Sequence, residues 1–206
     1  DGRTLSTTDL HAIAHGETVM LSDDSREEML ANVESMPAGP SILEEKRHWL
    51  VGGFASELTA DELCRTFILG HCAGVGESLP DEMVRATMAA RVNVLATATT
   101  GCRPEAADVL IAMLNQGVTP NVPSQGSVGA AGDLAPLAHI ARVACGYVDR
   151  PASLPAYRPN PKEALALING ISMTAALGAV AVTRIERVLA CAVVACAMTM
   201  GAMRAD

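Results

Sequence analysis

Residues 126–139 read GSVGAAGDLAPLAH, a glycine-rich stretch that passes through Asp133 into an apolar run. Glycine allows backbone conformations that side chains exclude, so the stretch predicts a tight turn followed by a helix that Asp133 caps. Ala130 and Ala131, at its centre, carry no nucleophile, acid or metal ligand. The segment is therefore either a turn only or a loop whose reactive group is missing.

The residues around this stretch favour an all-α fold. Half of the 206 residues are hydrophobic, but only 2% are aromatic, and ten are methionine. Strands favour aromatic and β-branched side chains, whereas this composition suits closely packed helices. Helix signals include a capping box at Thr59–Glu62 and a long apolar run from about Ser172 to Arg204. We find no long strand alternation and predict one helical domain.

Residues 188–203, VLACAVVACAMTMGAM, are almost wholly apolar. The run is shorter than a usual membrane span, so it predicts a buried bundle helix or an oligomer interface rather than membrane insertion. Few other predicted helices remain to cover it. We therefore expect the helix over 171–204 to mediate homo-oligomer formation or to bind a partner subunit.

The charge pattern and the cysteines argue against nucleic-acid binding, secretion and metal binding. A formal net charge of −8 with scattered basic residues argues against nucleic-acid binding. Residues 1–16 are polar and acidic, unlike a signal peptide, and the six cysteines lack CxxC spacing, which predicts reduced thiols and a cytoplasmic location. His48, His71, His139 and Cys72 lack ligand spacing along a helix, so we predict no metal site.

Residues 117–141, GVTPNVPSQGSVGAAGDLAPLAHIA, resemble the signature of the histidine and aromatic amino-acid ammonia-lyases. Residues 70–86, GHCAGVGESLPDEMVRA, resemble an upstream block of that family, and residues 163–175, EALALINGISMTA, a downstream block. Residues 3–23 are similar to the family's N-terminal opening, and only residues 38–58 depart from the pattern. The histidine-type members are the most similar.

The resemblance implies an ammonia-lyase-like helical domain equivalent to the N-terminal half of the family. It implies a single domain over 1–206. In that domain, 1–160 carry the signature loop and 161–206 form a long helix of a central bundle.

In the family, the centre of the signature is Ala-Ser-Gly, which cyclises and loses water to form the electrophile methylidene-imidazolone (MIO). The serine side chain becomes the methylidene group. This chain has Ala130-Ala131-Gly132 at that position, and the Ala131 methyl has no hydroxyl to eliminate. The resemblance therefore implies a chain without MIO, and we predict no cofactor.

The family also has a catalytic tyrosine in a Tyr-Gly-x-Asn-Thr-Gly-Phe-Gly loop. Here the corresponding residues 42–55 read ILEEKRHWLVGGFA, and only Gly53-Phe54 matches. A general base is missing together with the electrophile, which favours a natural, diverged homologue over a single-residue knockout.

The resemblance to the ammonia-lyases places three residues in a candidate ligand site. His71 matches a histidine that helps to set substrate choice in the family, and Asn169 matches an asparagine that contacts MIO and substrate. Gln125 stands beside the signature and could donate to a carboxylate. Each has a structural alternative: His71 as a core residue, Asn169 as a helix cap, and Gln125 as a solvated loop residue.

His48 lies in the divergent segment and could replace the missing tyrosine, because the pKa of an unperturbed histidine lies near neutrality. Four charged residues precede it, so an exposed charged helix is the alternative. Asp133 matches an aspartate that assists ring formation in the family. With no ring to form, its role as a helix cap is favoured.

Three functions remain open at this stage. The first is a repurposed enzyme that binds an amino-acid-like small molecule and uses acid–base chemistry of a lyase or isomerase type without MIO, with His71, Asn169 and His48 as its residues. The second is an inactive binding or assembly module. The third is an engineered or truncated histidine ammonia-lyase.

Overall fold

The computed structural model describes residues 1–37, 39–48, 57–128, 132–148 and 150–204. Helices dominate these residues, so the all-α prediction is confirmed, and they are joined by one short pair of strands. In chain order the elements are α1 (Thr7–Ala14), α2 (Asp23–Ser35), α3 (Ile42–Glu45), α4 (Ala60–Gly70), β1 (Val75–Ser78), α5 (Asp81–Ala96), α6 (Pro104–Asn115), β2 (Pro123–Gln125), α7 (Leu134–Ala144), α8 (Pro161–Ile168) and α9 (Ser172–Met203).

Side chains just before the helices fix several of the helix starts. The predicted capping box of α4 is present, because the Thr59 hydroxyl accepts from the Glu62 amide while the Glu62 carboxylate accepts from the Thr59 amide. Asn160 and Glu163 form an equivalent box at α8. Such pairs satisfy backbone amides that have no partner inside the helix.

The two strands were not predicted from the sequence. β1 and β2 pair antiparallel, with Val75 opposite Gln125 and Ser78 opposite Pro123. The strands are short and mostly exposed, so they show no alternation of apolar and polar residues. The pairing brings the segment after α4 alongside the start of the glycine-rich stretch.

The core forms around α5, which packs against α1, α6 and α9, while α7 and α8 pack against each other and against α4. Phe67, Met88 and Leu110 are among the fully buried side chains. The thiols of Cys64 and Cys102 are also buried, and burial raises their pKa to about 12 and about 11. These two thiols are core residues rather than reactive groups.

The long predicted helix is confirmed as α9, but it divides into two parts. Its start packs on α5 and α1, and Thr183 is its last buried residue. Arg184 pairs with Glu82 of α5, and every residue of 184–204 is exposed. The described chain itself does not cover this part, so burial in a bundle or at an oligomer interface stays a prediction. None of the described helices combines the length and apolar character that crossing a membrane requires.

Candidate functional site

The backbone of the glycine-rich stretch meets the Asn169 segment at a pair of glycines. Gly132 and Gly170 form an isolated parallel bridge, and the amide of Asp133 donates to the Gly170 carbonyl at 2.7 Å. Gly132 has φ +100, and a Cβ at this position would overlap the Gly170 carbonyl. Only glycine allows this approach, so the turn predicted here is also a tight junction between distant segments.

Asp133 stabilises a helix other than the predicted one. It occupies the N-cap position of α7, but its side chain makes no capping bond there. Instead its carboxylate accepts the Thr174 amide and the Thr174 hydroxyl, both at 2.8 Å, and the Ser127 hydroxyl at 2.8 Å. The predicted cap of α7 is therefore wrong. The buried carboxylate caps α9 because Thr174 lies in the first turn of that helix.

Asn169 ends α8 as its C-cap and is exposed. It lines a cavity of about 440 Å³ between α1, α5 and the start of α9. Most of the lining is apolar, including Leu5, Leu10 and Val94, and its polar groups include Asn169, Arg91 and Ser172. A mostly apolar cavity of this size with a few polar groups is typical of a small-molecule site.

Arg91 is the residue of this cavity that sequence reasoning missed. It is 3% exposed, its Nε is buried without a partner, and no hydrogen bond or ion pair joins its guanidinium to another described residue. It packs on Gly170, where an added Cβ would lie 2.5 Å from Nη1. Burial lowers the pKa of Arg91 to about 10. The available signal was the one charged residue in the otherwise apolar segment 88–92, MAARV, of α5.

His71 lies just after the C-terminal end of α4 and is half-buried. Its Nδ1 is 2.7 Å from the Phe67 carbonyl oxygen, and its ring lies 4.6 Å from the Phe67 ring between centroids. The carbonyl can only accept, so Nδ1 is the donor, and Nε2 is the ring nitrogen that this bond does not use. His71 does not line the 440 Å³ cavity.

The segment after His71 nevertheless contacts the glycine-rich stretch. A Cβ on Gly126 would lie 3.0 Å from the Gly74 Cα, so the two backbones approach closely. Beside them lies His139 of α7, which is buried and whose ring nitrogens have no partner among the described residues. Burial lowers the pKa of His139, which favours the neutral ring.

The remaining predicted residues lie at the periphery or outside the description. Gln125 ends β2 and is exposed, and its amide lies beside Gly76. His48 follows α3 and is also exposed, as its charged-helix alternative expects. Ala130 and Ala131 lie outside the described residues, whereas Gly132 is placed by its contact with Gly170. In the described ranges no three His, Cys, Asp or Glu side chains form a group suited to a metal ion.

Comparison with known sequences decides the family. Residues 5–206 match the family described as aromatic amino acid lyase. The chain belongs to this family.

Individual relatives point to the histidine-type members of the aromatic amino acid lyase family. The chain is 39% identical to a histidine ammonia-lyase of Gloeobacter violaceus, over 98% of this chain and 43% of that protein. It is 36% identical to a histidine ammonia-lyase of Anaeromyxobacter sp. strain K, over 97% of this chain and 45% of that protein. The chain thus spans less than half the length of these relatives.

Solved structures agree with the family and the fold. The crystal structure of histidine ammonia-lyase from Trypanosoma cruzi superposes with a TM-score of 0.81 at 32% identity, covering all of this chain and 44% of that one. The ammonia-lyase-like helical fold expected from residues 70–86, 117–141 and 163–175 is confirmed. In this lyase-family chain, β1–β2 pairing and the Gly132–Gly170 bridge bring those three blocks together.

Proposed function

We propose that this chain is an ammonia-lyase-family protein that forms no MIO and binds an amino-acid-like metabolite. One contrast carries the proposal. The residues that support the signature loop, Gly132, Asp133 and Gly170, keep a tightly bonded arrangement, whereas position 131 has an alanine. Packing alone does not require the buried carboxylate network, because buried polar groups cost free energy unless every one is satisfied.

The chemistry of residue 131 does not fit the family's electrophile. The methylidene group forms by elimination of a side-chain hydroxyl, and the methyl group of Ala131 has none. The function proposed here therefore uses the chain's own side chains alone.

Those side chains suit ligand binding and proton transfer. The Asn169 carboxamide is exposed at the cavity and offers donors and an acceptor to a polar ligand. The Nε2 atom of His71 is the available proton acceptor in the neighbouring segment, since Nδ1 is engaged by Phe67. His48 remains a second acid–base candidate. Only Asn169 of these residues lines the cavity, so Asn169 supports ligand binding there. Lyase- or isomerase-type proton chemistry through His71 or His48 is the part of the proposal that the metabolite experiment tests.

The first experiment is the intact mass of the purified chain. We expect the mass that the sequence gives, because Ala131 cannot lose water. Ala131→Ser restores the hydroxyl and nothing else. With Gly132 and Asp133 retained, we expect its mass to lie below the mass of its sequence by two water molecules, one lost on ring closure and one from the serine hydroxyl. A loss of water in the unmodified chain would overturn the proposal.

The second experiment is incubation with amino acids and related metabolites, followed by mass spectrometry. We expect binding or turnover that Asn169→Ala weakens, whereas Asn121→Ala, in the exposed loop before β2, leaves it unchanged. Absence of any ligand across the panel favours the assembly function instead.

The exposed part of α9 favours that second candidate, an inactive assembly module. Its large apolar side chains are more than two-fifths exposed; they are Ile185, Val188, Leu189, Val193, Val194, Met198, Met200 and Met203. An apolar surface of this extent is typical of a face that binds another chain. Light scattering of the chain and of a Val188→Glu/Val193→Glu variant tests for self-association that the charges abolish.

A third candidate is a shortened or engineered histidine ammonia-lyase, since the relatives are more than twice as long. A parent sequence with serine at position 131 would establish it. A cytoplasmic location also belongs to the proposal, and cell fractionation tests it.

A further inference from the structure

Helix α5 contains two buried arginines, Arg85 and Arg91, that differ in their hydrogen bonds. Arg85 donates through Nε and Nη2 to the Ile13 carbonyl, at 3.2 and 3.0 Å, and through Nη1 to the Leu114 carbonyl at 2.8 Å. Arg91, further along the same helix, is more buried, at 3% exposed against 8%. Among the described residues it has none of these bonds. Arg85 is thus a structural arginine, whereas the described residues supply no hydrogen-bond partner for Arg91.

A buried guanidinium without partners costs free energy, because it loses hydration and gains no compensating bond. No carboxylate of the described residues lies within ion-pair distance of Arg91. The carboxylate of Asp133, whose amide donates to the Gly170 carbonyl, is already bonded to Thr174 and Ser127. The described residues therefore supply no anion to pair with Arg91.

The start of α9 lines the same cavity and is incompletely capped. Its N-cap residue Ile171 has no side chain that can accept an amide, and Asp133 satisfies only the Thr174 amide. Among the described residues the amides of Ser172 and Met173 make no hydrogen bond. The Ser172 hydroxyl is buried and also has no partner there. The positive end of a helix dipole and free donors favour an anion.

We propose that the 440 Å³ cavity binds the carboxylate of a small, largely apolar organic acid, with Arg91 and the first turn of α9 as its anion subsite. Gly170 lies between the two parts of this subsite, since it contacts Arg91 and stands two residues before Ser172 in the first turn of α9. Leu5, Leu10 and Val94 provide the apolar wall for the rest of the molecule. A free small molecule fits better than a polypeptide side chain, because Arg91 is almost fully buried at the cavity.

This inference rests on the proposed function, since Asn169 lines the same cavity, and it names the ligand group that the site recognises. The test uses hexanoate, which has a carboxylate and an apolar body, and hexan-1-ol, which keeps the body and lacks the charge. Dissociation constants are measured by amide chemical shifts of the full chain. We expect hexanoate to bind at least about tenfold more tightly than hexan-1-ol, the equivalent of one charge-assisted hydrogen bond.

Arg91→Met should weaken hexanoate binding by at least about tenfold and leave hexan-1-ol binding unchanged. This variant should fold, because methionine fills similar space without a charge. Arg65→Met, which removes an exposed arginine of α4, is the matched control and should leave both ligands unaffected. Ser172→Ala should weaken hexanoate binding alone.

Equal binding of hexanoate to the unmodified chain and to Arg91→Met overturns the anion subsite. So does an absence of hexanoate binding, or a concentration-dependent dimer that Arg91→Met abolishes, since the carboxylate would then belong to a polypeptide. None of these results bears on MIO. Conversely, loss of water in the intact mass overturns the proposed function and leaves the hexanoate result standing.

Discussion

The carboxylate of Asp133 binds both the backbone amide and the hydroxyl of Thr174, a residue 41 positions further along the chain. With the Ser127 hydroxyl on the same carboxylate, this joins the glycine-rich stretch to the first turn of α9. The long helix is thereby oriented from a loop rather than from its own sequence, since Ile171 offers no cap.

Asp133→Asn should therefore destabilise the chain. The variant removes the negative charge that strengthens three hydrogen bonds. The NH2 group of the new carboxamide also faces a group that donated to the carboxylate. We therefore expect a loss of about 2 kcal/mol in the free energy of unfolding. Ser127→Ala should cost about 1 kcal/mol. Urea denaturation measures both. Asp24→Asn, in the exposed first turn of α2, is the control, and an equal loss there would contradict the role of Asp133.

Gly132→Ala and Gly178→Ala should change stability in opposite directions. At Gly132 the added Cβ overlaps the Gly170 carbonyl and φ is +100, so we expect a loss of about 3 kcal/mol. At Gly178, within α9, no atom lies near the added Cβ, so we expect a gain of about 1 kcal/mol from helix propensity. Thermal unfolding with the same protocol compares the two. A neutral Gly132→Ala would disprove the close contact with Gly170.

Arg85→Met and Arg91→Met form a second opposed pair. The first variant leaves the carbonyls of Ile13 and Leu114 without their donor and should cost about 3 kcal/mol. The second removes a buried charge that has no partner among the described residues and should raise stability by about 1 kcal/mol in the absence of ligand. Denaturant titrations of both variants give the comparison. A large loss in Arg91→Met would show that the fold itself satisfies that guanidinium.

Glu163 should give the chain an acid-dependent component of stability. Burial raises the pKa of this carboxyl, but bonds from the Arg103 side chain and from the Asn160 and Arg103 amides outweigh burial and hold the pKa below its usual value of 4.5. A lowered pKa in the folded state means that the stabilisation is complete above pH 4.5 and is lost as the pH falls through the folded pKa.

Glu163→Gln should therefore be less stable than the unmodified chain at pH 7, and the difference should shrink as the pH falls below 4.5. Unfolding free energies across this range provide the measurement. Glu105→Gln, an exposed carboxylate of α6, is the control and should show a much smaller difference. A difference that stays constant down to acid pH would rule out the ionised Glu163 as its source.

Much of this fold could be predicted because its signals are local. The capping box at Thr59 and Glu62 and the apolar run after Ser172 act within one or two helical turns, and both are found in the structure. β1 and β2 could not be found in this way, because short exposed strands bury no face and leave no alternation in the sequence.

The candidate site was predictable only in part, for a related reason. Asn169 and Gly132 were singled out by resemblance, and both lie at the junction that the structure shows. The partner of Asp133 was assigned to α7 because capping is usually local, whereas the carboxylate reaches Thr174 across the chain. Arg91 was missed because a buried charge without a partner runs against the general rule that buried charges are paired.

The division of α9 at Thr183 has a consequence for amide hydrogen exchange. Residues 184–203, about 30 Å of helix, have only their own backbone bonds to protect them, whereas 172–183 share the stability of the core. A helical segment without tertiary packing opens readily. One continuous helix should therefore exchange as two kinetic units, slow before Thr183 and fast after it. Any chain that binds the exposed face should be recognised by slow exchange spreading towards Met203.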